Sequence, residues 1–435
     1  MERIGGKYDV LRLLGEGATS AVYLCYDPFA EREVAVKWLF QEVLKDAKRG
    51  RQFRHLLQNE ASLAGRLVHP HIVQIYDAVI GRDESYIVME YVPGGTLEPY
   101  CTPDQLLPIE RVVEIIFKCS HALEYANRHG ITHRDIKPAN ILLARADASP
   151  DHADGDIKIS DFGASIQDGD AETQTQVMGV GSPAYMSPEQ LSEQQITHQT
   201  DIYSLGVVMY QLLTGRLPFQ AGSSLSMFYQ ICNTEPLPPS AFRQDLPPAL
   251  DAIVGRAMQK SLTDRYASWA AFAHDLAQAF RSHELALRQQ SLPDSKKFES
   301  LRELRFFDDF TDVEIWEIVR IARWDVIAAG GCLMRDGEAG DFFCLILEGE
   351  FQIAKAGHPI GQLGRGEIIG EIAVLDRRHH QRIADVTAIG DCRIVTVAGQ
   401  ALRQASEGCR MHFYLGFLQV LATRLARTNV LLAHT

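Results

Sequence analysis

Two short motifs in the middle of the chain, "HRDIKPAN" and "DFG", constrain its fold more than any other feature. The first motif contains Asp135, a carboxylate that can accept the proton of a hydroxyl group, and Lys137, a cation that can neutralise a transferred anionic group. Asn140, at its end, and Asp161, at the start of the second motif, carry the oxygen ligands that Mg²⁺ prefers. Transfer of a γ-phosphoryl group requires these four groups, so the sequence predicts a phosphotransferase.

A glycine-rich turn precedes these motifs. In "LGEGATSAVY", Gly15 and Gly17 lack a β-carbon and would let the backbone approach phosphate groups closely. The motif "VAVK" then places Lys37 on the following strand. A lysine in an apolar strand costs free energy unless it is paired, and Glu60 on the next helix is its natural partner. The order of these elements supports the phosphotransferase interpretation.

The hydrophobic pattern divides the chain into regions. Residues 8 to about 92 alternate apolar and polar residues, which predicts strands, interrupted by one helix over 53–67. Helical patterns dominate from 108 to about 281. Residues 282–297 are polar and contain Pro293, so we expect a linker there. Beyond it, short glycine-separated strands and a terminal helix starting at Phe413 predict a second domain over 298–433. The length of 435 residues supports this, because one hydrophobic core rarely supports so long a chain.

Residues 8 to about 281 resemble the eukaryotic-like (Hanks-type) serine/threonine protein kinases, particularly their bacterial branch. The resemblance rests on the glycine-rich turn, "VAVK", "HRDIKPAN", "DFG" and "GSPAYMSPEQ". It implies a bilobal fold of the α+β class, with ATP and Mg²⁺ as cofactors and protein serine or threonine hydroxyls as acceptors. The catalytic residues that it implies are Asp135, Lys137, Lys37 and Glu60, and the magnesium ligands are Asn140 and Asp161.

The same resemblance places the nucleotide. It makes Met89 the gatekeeper, and Glu90 to Val92 the hinge whose backbone binds adenine. Leu14, Val22, Ala35 and Leu142 would sandwich the base. The full set of residues expected around ATP is Leu14, Gly15, Gly17, Val22, Ala35, Lys37, Met89, Glu90, Val92 and Leu142.

Control of the activation segment is also implied by the resemblance. Arg134 corresponds to the arginine that pairs with an activation-loop phosphate in many kinases, and an added dianion could order the loop by meeting it. Candidate phosphorylation sites are Thr173, Thr175 and Ser182, and Ser182 together with Lys137 indicates the Ser/Thr class. Two structural roles are also implied, an ion pair between Glu189 and Arg265 and a brace of the catalytic loop by Asp201.

A second constellation lies far downstream, in "GRGEIIGEIAVLDRRHHQRIADV". Gly370 forms a tight turn before a short apolar helix, whose amino-terminal N–H groups can bind an anion. Glu371 is a suitable acceptor for a sugar hydroxyl, and Arg382 supplies a charged fork for a phosphate. A ribose acceptor and a phosphate arginine that frame a helix start describe a cyclic-nucleotide pocket.

Residues from about 298 to 433 resemble the cyclic-nucleotide-binding domain shared by regulatory subunits of cyclic-AMP-dependent kinase and the catabolite activator family. The resemblance rests on "LEGE", "GEIAVL" and "RIADVTA". It implies a β-roll, or jelly-roll, with flanking helices, and cyclic AMP or cyclic GMP as effector. Ile383 stands where relatives usually carry a small residue. The pocket residues that it implies are Gly370, Glu371, Ile372, Arg382 and Ile383.

Composition excludes other partners. The formal net charge of −13 argues against broad binding to nucleic acid or anionic membranes. Eight scattered cysteines, no apolar leader and no apolar run of about 18 residues predict a cytoplasmic protein. We therefore expect a cytoplasmic Ser/Thr kinase regulated by a cyclic nucleotide. The alternative is a constitutive or autophosphorylation-controlled kinase whose β-roll docks partners, forms a homodimer or senses another ligand.

Overall fold

The computed structural model describes most of the chain and divides it into two compact units. The described residues are 3–17, 19–42, 57–62, 65–81, 84–144, 157–162, 166–167, 183–192, 194–281, 294–375 and 381–433. The units are Met1–Pro293 and Asp294–Thr435. Their boundary falls inside the linker expected at 282–297, and the last residues of that range are helical.

An antiparallel sheet forms the amino-terminal part of the first unit, because the sequence alternates apolar and polar residues there. Its strands are β1 (Arg3–Ile4), β2 (Tyr8–Glu16), β3 (Ser20–Asp27), β4 (Arg32–Leu39), β5 (Ile75–Ile80) and β6 (Ser85–Glu90). They lie in the order β1-β2-β3-β4-β6-β5. Of the helix expected over 53–67, the described residues 57–62 are helical. Leu57 packs with Leu39 and Ile87, so this helical segment lies against β4 and β6.

Helices dominate the rest of the first unit. Its elements are α1 (Ile109–Arg128), β7 (Ile131–Thr132), β8 (Ile141–Leu143), β9 (Ile157–Ile159), β10 (Ile166–Gln167), α2 (Pro188–Leu191), α3 (Gln199–Thr214), α4 (Ser224–Asn233), α5 (Pro248–Ala257) and α6 (Trp269–Arg281). Helix α3 is almost wholly buried, because it is apolar on nearly every side. It ends at Thr214 and is capped by Gly215, whose φ of 70° suits a glycine helix cap. The "HRDIKPAN" loop lies between β7 and β8.

The second unit is a β-roll with flanking helices. Its elements are α7 (Asp294–Arg302), α8 (Asp312–Ile321), β11 (Arg323–Ile327), β12 (Cys332–Met334), β13 (Phe342–Glu348), β14 (Phe351–Lys355), β15 (His358–Leu363), β16 (Ile368–Ile369), α9 (Glu371–Leu375), β17 (Asp385–Ala388), β18 (Cys392–Ala398), α10 (Gly399–Gln404) and α11 (Glu407–Ala433). Two four-stranded sheets have the orders β11-β18-β13-β16 and β12-β17-β14-β15. Cys344 and Ile394 of one sheet pack with Phe351 and Val386 of the other. The expected α+β class is confirmed.

The terminal helix α11 packs on the roll through aromatic side chains. Phe413 and Phe417 are fully buried, and their ring centroids lie 5.3 and 4.9 Å from that of Phe343. The helix begins at Glu407, before the apolar pattern that predicted a start at Phe413. Ser406 sets this start, because its hydroxyl accepts the N–H of Cys409. None of the helices in the described part of the chain combines the length and apolar character needed to cross a membrane.

Candidate active site and candidate ligand pocket

Lys37, on β4, forms ion pairs with two carboxylates. Its Nζ lies 3.0 Å from Glu60 Oε2 and 2.7 Å from Asp161 Oδ1. Glu60 belongs to the helical segment 57–62, and Asp161 follows β9 with a left-handed backbone (φ 65°). A non-glycine residue rarely adopts that conformation, so the contact with Lys37 helps to hold a strained position. The structure thus brings together three of the residues expected to act in phosphoryl transfer.

These ion pairs set the charge of the cluster. Burial would lower the pKa of Lys37, but Asp161 and Glu60 raise it well above its usual value. Burial likewise would raise the pKa of Asp161, but the Lys37 ammonium holds it below its usual range. Burial raises the pKa of Glu60, and Lys37 offsets only part of that rise. Asp161 is therefore ionised at neutral pH, as a cation ligand must be.

Asp135 is held by two neighbours from its own loop. Lys137 Nζ donates to Asp135 Oδ2 at 2.7 Å. Asn140 Nδ2 donates to the Asp135 carbonyl oxygen at 2.8 Å and to Oδ2 at 3.2 Å. Within the described residues both side-chain contacts use Oδ2, so Oδ1 is the atom available to a substrate hydroxyl. The side-chain amide of Asn140 donates its hydrogen bonds to Asp135. Its side-chain carbonyl oxygen can therefore face a cation, and an oxygen ligand of this kind fits Mg²⁺.

The catalytic loop is braced from the buried helix α3. Asp201 accepts the backbone N–H of His133 at 2.7 Å and that of Arg134 at 2.8 Å. Arg134 has a left-handed backbone (φ 69°), which these bonds stabilise. The His133 ring lies 3.0 Å from the Ser160 carbonyl oxygen, which connects the loop to the residue before Asp161. The bracing contact expected of Asp201 is present in this geometry.

Strand register aligns the residues expected around the phosphates. Gly15 pairs with Val22 across β2 and β3, and Val22 pairs with Lys37 across β3 and β4. Ala35 pairs with Met89 across β4 and β6. Cross-strand partners lie about 5 Å apart, so one line of neighbours runs from the glycine-rich turn to Lys37. This line supports the nucleotide positions drawn from the sequence.

The hinge segment is attached to strand β8. Gly94 N–H donates to the Leu143 carbonyl at 2.9 Å, and Leu143 N–H donates to Gly95 at 2.8 Å. Leu142, the residue before Leu143, pairs with Thr96 in an antiparallel arrangement and therefore lies beside the segment that follows the hinge. Four expected nucleotide residues remain, namely Leu14 on β2, Gly17 in the following turn, Glu90 at the end of β6 and Val92 just after it. The Gly17 N–H donates to the Ser20 carbonyl oxygen and closes the turn.

Glu189 and Arg265 form a bidentate pair with almost no solvent exposure. Arg265 Nη1 and Nη2 lie 2.7 and 3.1 Å from the two Glu189 oxygens. Burial would raise the pKa of Glu189, but the Arg265 guanidinium holds it below its usual value. The other positions of the activation segment, Thr173, Thr175 and Ser182, lie outside the described residues.

The second unit contains a cavity of about 380 Å³. All five residues that the sequence assigned to a nucleotide pocket, Gly370, Glu371, Ile372, Arg382 and Ile383, line it. Aliphatic side chains form much of the remaining wall, namely Met334, Ile353, Ile360, Leu363 and Val386. The volume and the mixture of apolar wall and few polar groups are typical of sites for small organic ligands.

Arg382 supplies a buried cation to this cavity. Its Nη1 donates to the carbonyl oxygens of Phe342 (2.9 Å) and Gly370 (3.3 Å). Its Nη2 is buried without a hydrogen-bond partner among the described residues. Gly370 has φ +87°, and a β-carbon there would lie 2.5 Å from Nη1, so only glycine leaves room for the guanidinium. A buried guanidinium with one nitrogen that lacks a partner fits an anionic ligand such as a phosphate.

Glu371 is paired with a residue that the sequence analysis did not single out. Arg424 on α11 places Nη1 2.6 Å from Glu371 Oε1 and donates through Nη2 to the Ile368 carbonyl. Burial raises the pKa of Glu371, and Arg424 opposes that rise. Arg424 follows Phe413 by eleven residues and Phe417 by seven, so it shares their buried helix face. A charged residue in register with an apolar helix face was the signal available in the sequence.

Ile383, the residue that departs from the family pattern, lies at the rim of the cavity. It lines the cavity and yet is 57% exposed, so its branched side chain does not fill the interior. Arg377 and Arg378, in the connection between α9 and Arg382, are the alternative phosphate ligands that the sequence offers, and both lie outside the described residues.

Comparisons with known proteins match both units. Residues 8–277 match the family model "Protein kinase domain", and residues 325–408 match "Cyclic nucleotide-binding domain". The first match covers more than half of the 435 residues. The chain therefore belongs to the protein kinase family, with a cyclic nucleotide-binding domain in its second unit.

Similar curated proteins are bacterial serine/threonine kinases. A probable serine/threonine-protein kinase of Streptomyces coelicolor is 40% identical over 61% of this chain and 39% of its own length. The kinase PknB of Mycolicibacterium smegmatis is 37% identical over 65% of this chain and 44% of its own length. The kinase PksC of Streptomyces coelicolor is 35% identical over 65% and 50%, respectively. The chain thus spans half or less of the length of these relatives.

Proposed function

We propose that this chain is a serine/threonine protein kinase that transfers the γ-phosphoryl group of ATP to hydroxyl groups of protein substrates. One observation carries the proposal: a lysine amine shared by Glu60 and Asp161 lies in the same unit as Asp135 hydrogen-bonded to Lys137. Lys37 is a cation that can anchor phosphates, Asp161 is an ionised candidate metal ligand, and Asp135 is a candidate proton acceptor. The named relatives, all kinases of the Ser/Thr class, support the acceptor chemistry.

In the proposed mechanism each residue has a separate task. Asp135 Oδ1 accepts the proton of the attacking hydroxyl, while Lys137 neutralises charge on the transferred group. Lys37, fixed by Glu60, orients the phosphates that remain with the nucleotide. When bound, Mg²⁺ neutralises charge on the phosphates, and Asp161 and Asn140 are the residues that would hold it.

We further propose that cyclic AMP or cyclic GMP binds the cavity of the second unit and regulates the kinase unit. The unpartnered Nη2 of Arg382 suits the cyclic phosphate, and Glu371 suits a ribose hydroxyl. The apolar wall, which includes Ile372 and Ile383, suits a base. Regulation requires that the nucleotide bind two states of the kinase with different affinity.

A phosphotransfer assay with Arg382→Gln tests this proposal. We expect cyclic AMP or cyclic GMP to change the rate at which the intact chain phosphorylates a basic protein with radiolabelled ATP. The variant should bind the nucleotide about 10 to 100 times more weakly in calorimetry, because a buried charge-assisted hydrogen bond to phosphate is lost. Its basal transfer rate should remain, and its response should require about 10 to 100 times more nucleotide than that of the unsubstituted chain.

Arg393→Gln is the matched control for this experiment. Arg393 forms an exposed ion pair with Glu348 at 3.6 Å and does not line the cavity. This variant should bind and respond as the unsubstituted chain does. If neither cyclic nucleotide binds nor changes the rate of the unsubstituted chain, the second unit is not a sensor of these ligands.

A second candidate role of the second unit is self-association through α11. Met411, Leu415, Leu418 and Leu425 are each about half exposed or more, and they recur at the spacing of a coiled-coil seam. A second copy of the same helix is the partner that such spacing suits. The homodimer is therefore retained as an alternative that is compatible with ligand binding.

Substitution of this seam tests the dimer. Leu418→Glu combined with Leu425→Glu should weaken self-association at least about a hundredfold, because two leucines would no longer be buried and two like charges would meet. Sedimentation velocity measures the change, and Gln419→Glu, an exposed position on the same helix, is the control. A chain that sediments as a monomer before substitution rules out this role.

Location and phosphorylation complete the proposed function. All eight cysteines lie in described segments as free thiols, which supports a reducing compartment such as the cytoplasm. Thr173, Thr175 and Ser182 stay predicted phosphorylation sites. Arg134 supports them, because its Nη1 is buried without a hydrogen-bond partner among the described residues and suits an added phosphate.

A further inference from the structure

An ion pair on the first unit joins the hinge to the strand that leads to Asp161. Lys158 Nζ, in the middle of β9, lies 3.0 Å from the Oε2 of Glu90, the last residue of β6. The two side chains are only 16% and 26% exposed. Solvent and salt therefore screen this pair less than a surface ion pair.

Glu90 connects further elements through the same carboxylate and its backbone. Its Oε2 accepts the N–H of Gln74 at 3.3 Å, and its own N–H donates to the Gln74 carbonyl at 2.8 Å. Gln74 directly precedes β5. Glu90, at the start of the hinge, therefore contacts two elements. It is hydrogen-bonded to Gln74 beside β5 and forms an ion pair with Lys158 on β9.

The register of β8 and β9 places Lys158 next to a residue expected to bind adenine. Lys158 pairs directly with Leu142. Directly opposite residues of an antiparallel pair point to the same face of the sheet. One end of the ion pair therefore belongs to the hinge, whose backbone is expected to bind adenine, and the other end neighbours the residue expected beneath the base.

We propose that Lys158 is a positioning residue for ATP, which through Glu90 holds the hinge backbone at a fixed spacing from Leu142. This inference rests on the proposed kinase function. The pair lies away from Asp135 and Lys137 in the chain, and among the described residues it shares no hydrogen bond with them. It acts equally on bound ATP and on the transition state, and its loss therefore raises KM for ATP and leaves kcat in place.

Substitution of Lys158 in the intact chain tests the proposal. We expect Lys158→Gln to raise KM for ATP about fivefold, the size of one partly buried charge-assisted contact, with kcat within about twofold of the unsubstituted chain. Lys158→Arg should keep KM, because a guanidinium can re-form the pair. Glu90→Gln should match Lys158→Gln, and the double variant should show no further rise, since both substitutions remove one interaction.

Lys7→Gln is the control, because Lys7 forms a longer and exposed pair with Asp77 at 3.9 Å in the same unit. Its KM for ATP should equal that of the unsubstituted chain.

Three results would overturn the proposal, namely an unchanged KM in Lys158→Gln, a loss confined to kcat, or additive effects in the double variant. Calorimetric titration with Mg-ATP separates it from the kinase assignment. If the chain transfers no phosphate, the kinase function is wrong. Weaker binding of Mg-ATP by Lys158→Gln than by the unsubstituted chain would still support the positioning role, and equal binding by the two would reject it.

Discussion

Asp135→Asn should lower kcat for protein phosphorylation by a factor of about 10² to 10⁴, the usual contribution of a general base. Asparagine keeps the shape of the side chain and can still contact Lys137, but it cannot take up the proton of a substrate hydroxyl. In the structure, Lys137 and Asn140 both contact Oδ2, so the substitution leaves the local packing largely unchanged. Steady-state kinetics with radiolabelled ATP measures the loss.

Asp104→Asn is the control for this experiment. Asp104 is exposed in the same unit and lies outside the residues assigned to catalysis or nucleotide binding. Its kcat should equal that of the unsubstituted chain, and both variants should keep the thermal unfolding transition of the first unit. A kcat for Asp135→Asn within tenfold of the unsubstituted value would show that another group accepts the proton.

Arg265→Ala should destabilise the first unit by about 3 to 5 kcal/mol, because the substitution leaves the Glu189 carboxylate buried without its cation. The Arg265 side chain has no solvent exposure, and that of Glu189 is 2% exposed. The guanidinium also donates to the backbone carbonyls of Gln199 and Gln259, so several segments lose a hydrogen bond together. Denaturant unfolding of the intact chain, with the transition of the first unit followed separately, measures the change.

Arg256→Ala provides the matched comparison. Arg256 pairs with Asp275 at 3.4 Å, but both side chains are well exposed. The Arg256 guanidinium also stacks on the Tyr266 ring, 4.3 Å from its centroid, so its removal should cost about 1 to 2 kcal/mol, still less than removal of Arg265. Glu189→Gln adds an independent test, because it leaves the arginine charge buried and should destabilise by a similar amount to Arg265→Ala. Equal effects of Arg256→Ala and Arg265→Ala would contradict the role assigned to the buried pair.

The sequence predicted those parts of the fold and of the candidate sites that depend on short motifs and on local hydrophobic patterns. Asp135, Lys137 and Asn140 lie within one short loop, so their motif already limits how far apart they can be. The pairing of Lys37 with Glu60 was also expected, because an apolar strand cannot hold an unpaired amine. The second contact of Lys37, with Asp161, emerged only from the structure. Their assembly in the structure supports the roles that the sequence predicted.

Contacts chosen by tertiary packing could not be predicted from the sequence. Lys158 and Glu90 lie on different strands with ordinary compositions, and nothing local distinguishes them from surface charges. The sequence pattern places Arg424 in register with the apolar face of α11, but its pairing with Glu371 depends on how α11 packs on the roll, which Phe413 and Phe417 determine. The early start of α11 was missed for a related reason, because a serine cap rather than an apolar pattern sets it.

The pairing of Arg424 with Glu371 sets a lower limit on the length of any working fragment of the second unit. The match to the cyclic nucleotide-binding domain ends at residue 408, whereas Arg424 lies beyond it on α11. A fragment cut at the end of that match would keep every pocket residue recognised from sequence motifs. It would nevertheless leave a buried carboxylate without its cation at the place where a ribose hydroxyl is expected to bind.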